Sequence, residues 1–147
     1  MNAMQIEQID PLKLPLVTRL YKQFYPSGKA KKDELTLVGY LEDQIVSVVR
    51  LKTIENIRLL TGMLVVPDKR QLGLGHQLMQ YCSAHILADR DYCFAYEHLE
   101  SFYAQHGFAT IEPSGLPGQL KERFHRYNRN KKLVPMQFLP SDVLVYQ

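Results

Sequence analysis

Between Leu59 and Leu78 the chain changes character twice. An apolar run from Leu59 to Val66 stops at Pro67, passes through the polar turn Asp68-Lys69-Arg70-Gln71, and continues as Leu72-Gly73-Leu74-Gly75-His76-Gln77-Leu78. The run is short enough for a buried strand and the spacing after the turn is helical, so the segment reads as strand, turn, helix. Glycines in the first turn of a helix let backbone approach a ligand closely. The first N–H groups of a helix lack partners within it, and together with the helix dipole they favour an anion there. The chain is therefore expected to contain a phosphate-binding turn of the α/β kind.

Three motifs could own such a turn. The nucleotide-triphosphate loop needs Gly-Lys-Ser/Thr after four spacers, and no Lys follows Gly75, which excludes it. A dinucleotide fingerprint would need a third glycine at Leu78 and an acidic residue about twenty positions on. Asp89 and Asp91 come too early for that. The third pattern is Arg-x-x-Gly-x-Gly, here Arg70 to Gly75, preceded by Val-x-Pro-x-x-Arg, here Val65 to Arg70. It resembles motif A of the GNAT superfamily of acyl-CoA-dependent N-acyltransferases.

A second landmark follows downstream. Phe102-Tyr103-Ala104-Gln105-His106-Gly107-Phe108 is similar to the Phe-Tyr-x-x-x-Gly-Phe signature that closes the acyl-CoA site of the same superfamily. The resemblance implies a GNAT fold of the α/β (α+β) class: a central mixed, mostly antiparallel sheet of six or seven strands, splayed between two parallel strands and flanked by helices. Residues 1–147 are expected to form one such domain.

The composition agrees with a globular protein, with 46% hydrophobic and 22% charged residues. No apolar run approaches the roughly eighteen residues of a membrane span, and the N-terminus lacks a basic-then-apolar signal. A cytoplasmic protein without membrane association is expected. The net charge of +3 is too mild to argue for nucleic acid. Cys82 and Cys93 are the only cysteines, and both fall on apolar patterns, so they read as core residues with neither a disulfide framework nor a metal site.

Along the chain, Met4 to Ile9 alternates like an edge strand, and Asp10-Pro11 reads as a turn or cap. Leu16, Val17, Leu20, Tyr21 and Phe24 give a helical stripe ending at Pro26-Ser27-Gly28. Leu35 to Leu41 and Ile45 to Lys52 form a hairpin around Glu42-Asp43-Gln44, and Arg58 to Val66 is the next strand. Gly62 in its middle marks a bulge or a close backbone approach. A helix from Gly73 to Asp89, a strand from Tyr92 to Tyr96, a short helix from Leu99 to His106 capped by Gly107, and a strand from Phe108 to Ile111 follow. After the loop 113–118, Leu120, Phe124 and Tyr127 share one face of a basic helix. Leu133 to Phe138 reads as the final strand, with Val143 to Tyr146 as an extra edge strand or a homodimer contact.

The resemblance assigns roles to particular residues. Backbone N–H groups of Gln71, Gly73, Gly75 and His76 would hold the diphosphate of acetyl-CoA, with Arg70 framing the turn. Backbone groups of Met63 and Val65 would pair with the pantetheine arm, and one of their N–H groups would polarise the thioester carbonyl. Tyr103 matches the tyrosine that protonates the leaving thiolate, which a phenol of pKa about 10 can do at neutral pH. Strand 58–66 has no carboxylate, so the base some relatives place there is missing, and Glu97 or His98 would accept the amine proton. Many relatives carry Asn where this chain has Tyr96. The first helix and the loop after it, with Phe24, Tyr25 and the lysines at 29, 31 and 32, would border the acceptor site. Arg123, Arg126 and Arg129 suggest a carboxylate-bearing amine, and the segment resembles the closing part of amino-acid N-acetyltransferases such as N-acetylglutamate synthases. They also fit a plain surface or RNA. No covalent nucleophile is required, because a thioester already has a good leaving group. The implied reaction is direct transfer of acetyl from acetyl-CoA to a primary amine of a small metabolite, without a metal. The alternative is a GNAT-like module that binds acyl-CoA without turnover.

Overall fold

Seven strands and four helices account for most of residues 3–140, the part of the chain that the computed structural model describes. They fall into two compact units: residues up to Lys52 together with Leu60–Tyr81, and Thr53–Leu59 together with Cys82 onward.

In the first unit β1 (Gln5–Gln8) lies antiparallel to β2 (Leu35–Leu41), which pairs with β3 (Gln44–Ile54, in this unit up to Lys52), whose neighbour is β4 (Ile57–Val65, in this unit from Leu60). The edge strand, the hairpin and the next strand thus fall where the sequence pattern placed them, within one or two residues at their ends. Glu42 and Asp43 both sit at positive φ, 50° and 67°, which gives the two-residue loop the twist that neighbouring strands need. The β2–β3 register shifts between Gly39 and Tyr40.

Between β1 and β2 the chain forms α1 (Leu14–Phe24). Asp10 accepts the Leu12 N–H at 2.9 Å, capping the short 3-10 turn Pro11–Lys13 that leads into the helix. Leu14, Val17 and Tyr21 are buried against Val38, Val48 and Leu64 of the sheet. Leu16, expected on that stripe, is 42% exposed instead, because the spacing of Leu14, Val17 and Tyr21 turns it to the helix flank.

The helix after the turn, α2 (Leu74–His85), buries Leu74, Leu78, Met79 and Cys82. It stops short of the expected Asp89. The Leu87 N–H turns back to the Cys82 carbonyl at 2.8 Å, and the Asp91 carboxylate takes the Ala88 N–H at 2.8 Å, so side-chain capture ends the helix.

The second unit contains β5 (Asp91–Tyr96), α3 (Glu100–Ala104), β6 (Phe108–Thr110), α4 (Gly118–Asn128) and β7 (Leu133–Phe138). β7 pairs antiparallel with β5 on one side and β6 on the other. Leu120 and Phe124 of α4 bury against Ile57, Leu59, Tyr92 and Leu116, while Tyr127, on the same predicted face, is 40% exposed at its edge. Asp91 is fully buried and takes the Arg58 guanidinium in a fork, with Nε and Nη2 each at 2.6 Å. The predicted loop 113–118 contains a 3-10 turn at Pro113–Gly115, and the helix expected from Leu99 begins as a 3-10 turn at Glu97–Leu99 before α3. Val143 to Tyr146 lies outside the described residues.

Cys82 and Cys93 are buried free thiols. Burial pushes the Cys82 thiol up to about 12 and raises that of Cys93 as well, so both stay protonated and neither is an activated nucleophile.

Candidate active site

The turn between β4 and α2 has an irregular backbone. Gln71 and Gly73 both adopt positive φ, 67° and 77°. Nothing lies within 4 Å of where a Cβ on Gly73 would stand, so this face of the turn is open to a ligand. The first i→i−4 bond of α2 runs from the Gln77 N–H to the Gly73 carbonyl at 3.0 Å, which makes Gly73 the N-cap and puts Leu74, Gly75 and His76 in the first turn. Arg70 frames the turn through its side chain, Nε donating to the Val65 carbonyl at 3.0 Å. That bond ties the last residue of β4 to the turn, and Gln71, Leu72 and Gly73 remain exposed.

Met63 and Val65 are half-buried, whereas Leu64 between them packs under α1. Alternation thus sends their side chains away from the α1 face. Two residues earlier in the strand, Gly62 has φ 69°, the irregularity expected from a glycine in mid-strand. Its carbonyl accepts the Tyr21 hydroxyl at 2.7 Å. Met63, Val65, Arg70, Gln71, Gly73, Gly75 and His76 are therefore gathered in the first unit, on one strand end, one turn and one helix start.

Glu97, His98 and Tyr103 belong to the second unit, on the segment leaving β5. The Glu97 N–H donates to the Lys132 carbonyl at 3.1 Å, which holds this segment to the residues preceding β7. Glu97 and His98 are exposed, and the His98 ring stacks on Tyr96 with centroids 5.8 Å apart. Tyr103 is only 6% exposed; its ring meets those of Phe102 and Phe108 edge to face. Gly107, after α3, has φ 96°, the left-handed conformation of a helix cap, and lies under the Phe138 ring, a close approach that the sequence did not announce.

On α4, Arg123 donates to the Tyr127 hydroxyl at 3.1 Å and the Arg126 guanidinium lies 5.4 Å from the centre of the same ring. Burial raises the pKa of Tyr127, but the hydrogen bonds and charges of Arg123 and Arg126 outweigh it and lower the pKa overall. No group of His, Cys, Asp and Glu among the described residues could hold a metal ion. None of the described helices is long and apolar enough to cross a membrane.

The sequence reading missed one feature of the first unit. Arg50 lies in the apolar run of β3, and its buried guanidinium meets Tyr21 and Glu34. A single arginine between Val49 and Leu51 was the available signal.

Residues 13–120 match the family model described as the acetyltransferase (GNAT) domain. None of the curated proteins compared with the chain matches it. Among solved structures, the chain is similar to N-acetylglutamate synthase from Neisseria gonorrhoeae complexed with coenzyme A and N-acetyl-glutamate. There the TM-score is 0.73 at 14% identity, covering 95% of this chain and 36% of that one, so the chain spans about a third of that protein's length. It is also similar to the ribosomal-protein-S18-alanine N-acetyltransferase from Escherichia coli, with a TM-score of 0.64, 11% identity and 95% of each chain covered. The PaiA N-acetyltransferase from Thermoplasma acidophilum in complex with coenzyme A gives a TM-score of 0.60 at 13% identity, covering 93% of this chain and 99% of that one. The fold is that of these acetyltransferases, and with its family model covering Lys13 to Leu120 the chain belongs to the GNAT acetyltransferase family.

Proposed function

We propose that this protein is an N-acetyltransferase that moves an acetyl group from acetyl-CoA to the primary amine of a small metabolite, by direct attack in a ternary complex. The observation that carries the reading is the turn from Arg70 to His76. It has two left-handed residues, an open glycine N-cap and a helix start, and is tied to the end of β4 by Arg70. Such a turn suits the diphosphate of CoA, which its backbone N–H groups at Gln71, Gly73, Gly75 and His76 would hold without any lysine.

From that anchor the pantetheine arm would follow the backbone of Met63 and Val65, and an N–H group there would polarise the thioester carbonyl as negative charge develops on it. Tyr103 would protonate the departing thiolate. Glu97 or His98, both exposed, would take the proton of the attacking amine directly or through water. Binding both partners in line contributes to the rate on its own. The two cysteines, held protonated by burial, leave no thiol for a covalent route. One GNAT domain acting in the cytoplasm is the setting we infer.

For the acceptor, Arg123 and Arg126 around Tyr127, with Arg129 at the end of α4, favour an amine that also carries a carboxylate. The N-acetylglutamate synthase complex holds an acetylated amino acid of that description.

The test is thiol release from acetyl-CoA against a panel of amines, with and without a carboxylate. Amine-dependent release, strongest for amino-acid acceptors, is expected. Tight CoA binding with no release from any amine would replace this reading with that of a non-catalytic acyl-CoA-binding module.

A further inference from the structure

The first unit buries a chain of polar groups that ends on β4. The Arg50 and Glu34 side chains are 7% and 4% exposed and meet at 2.6 Å. Arg50 Nη1 also donates to the Lys29 carbonyl, and the Lys31 N–H donates to Glu34 Oε1 at 3.2 Å, so the loop before β2 is fastened to this pair. Arg50 Nε donates to the Tyr21 hydroxyl oxygen at 3.2 Å. Because that oxygen accepts from a guanidinium, its own proton is directed elsewhere, and it goes to the Gly62 carbonyl at 2.7 Å. Desolvation raises the Tyr21 pKa and Arg50 only partly offsets it, leaving it at about 12, so the phenol remains a donor at any working pH.

Gly62 makes this approach possible. With φ 69° its carbonyl turns toward α1, and a Cβ here would stand 2.6 Å from the Tyr21 hydroxyl oxygen and 2.7 Å from Arg50 Nε. The Gly62–Met63 peptide is trans, so its N–H points opposite to its C=O. Fixing the carbonyl on Tyr21 therefore fixes the direction of the Met63 N–H, away from the phenol.

We propose that Tyr21, oriented by Arg50 and Glu34, is a positioning residue for acyl transfer: by holding the Gly62 carbonyl it aims the Met63 N–H at the thioester carbonyl. The inference rests on the acetyl-CoA reading above, and names which of the two candidate N–H groups acts and what sets it. A buried ion pair contributes little net stability compared with apolar side chains of the same size. Its presence beside a bent glycine in this strand is accounted for by the orientation it imposes.

The test is an amide NMR titration of 15N-labelled protein with CoA and then with acetyl-CoA. In the wild type, the Gly75 amide is expected to move with both ligands, and the Met63 amide to move further with acetyl-CoA than with CoA. Tyr21→Phe should keep the Gly75 response and a CoA Kd within about twofold, yet lose the acetyl-specific movement of Met63. With an active amine, kcat should fall at least about tenfold at unchanged KM for acetyl-CoA, a modest part of what loss of an oxyanion donor can cost. Glu34→Gln, which keeps the phenol but loosens Arg50, should give a smaller loss of the same Met63 signal, and serves if Tyr21→Phe does not fold. An unaltered acetyl-specific Met63 response in a folded variant would overturn the proposal. If Gly75 responds in the wild type and Met63 does not distinguish the two ligands, the positioning role alone fails. If Gly75 does not respond to CoA, the anion-binding turn fails and takes this inference with it.

Discussion

Placing a carboxylate on the second residue of α2 tests the anion-binding turn with little risk to the fold. In Gly75→Asp the new side chain sits in the first helical turn, beside Gly73, the N-cap. A negative charge there is favourable to the helix by about 0.3–1 kcal/mol, and Asp is no worse than Gly as a helix former, so the protein without ligand should unfold at the wild-type temperature or slightly above it. Against a bound diphosphate the same charge is repulsive. At about 5 Å and an effective dielectric near 20, one pair of unit charges costs about 3 kcal/mol, which weakens binding on the order of a hundredfold. With CoA at one hundred times its wild-type Kd, the wild type gains about 2.7 kcal/mol, and a hundredfold weaker variant gains only about 0.4 kcal/mol. For a chain of this size a kcal/mol moves Tm by about 2–4 °C. The thermal shift should thus shrink from about 5–11 °C to about 1–2 °C. A variant that kept the full shift would refute the placement of the diphosphate on this turn.

Tyr103→Phe should lower kcat at least about tenfold while leaving CoA binding unchanged, as expected for a lost general acid; equal turnover would assign Tyr103 to packing with Phe102 and Phe108. Gly107→Ala places a Cβ 2.7 Å from Cε1 of Phe138 at a φ of 96°, so calorimetry should show a loss of about 3 kcal/mol, with a change in Tm under about 2 °C contradicting it. Tyr21 binds its proton more tightly folded, with a pKa of about 12 against an ordinary 10, so its contribution to stability is complete below pH 10 and is lost as pH rises through about 12. The stability gap between wild type and Tyr21→Phe should therefore narrow by about 2–3 kcal/mol across that window in denaturant titrations, and a constant gap would contradict the assignment.

Most of the fold was legible because its boundaries are set by residues that act locally. Pro67 ends an apolar run, Gly73 and Gly75 start a helix, and Asp10 caps a turn, so the strand-turn-helix and the first helix could be read without knowing any neighbour. The end of α2 could not. Ile86 and Leu87 continue an apolar pattern, and only the buried Asp91, itself fixed by Arg58 from a distant strand, explains why the Ala88 N–H leaves the helix. Leu16 misled for a related reason, since a stripe on paper is wider than the face the sheet covers.

The same division holds within the candidate site. The backbone turn was visible as a motif, down to Arg70 tying it to the strand before it, because the pattern is carried by consecutive residues. The Tyr21, Glu34, Arg50 and Gly62 group joins α1, the loop after it, β3 and β4, and no spacing rule connects them. Gly62 announced a close approach, and only the fold reveals that a phenol makes it.

Every role proposed for this chain's residues follows from where CoA places its diphosphate. A crystal structure of the protein with bound CoA is the most direct measurement. The diphosphate oxygens are expected within about 3 Å of the backbone nitrogens of Gln71, Gly73, Gly75 and His76, with the pantetheine arm beside Met63 and Val65. Density for the diphosphate at any other part of the protein, with the turn from Arg70 to His76 untouched, would contradict it.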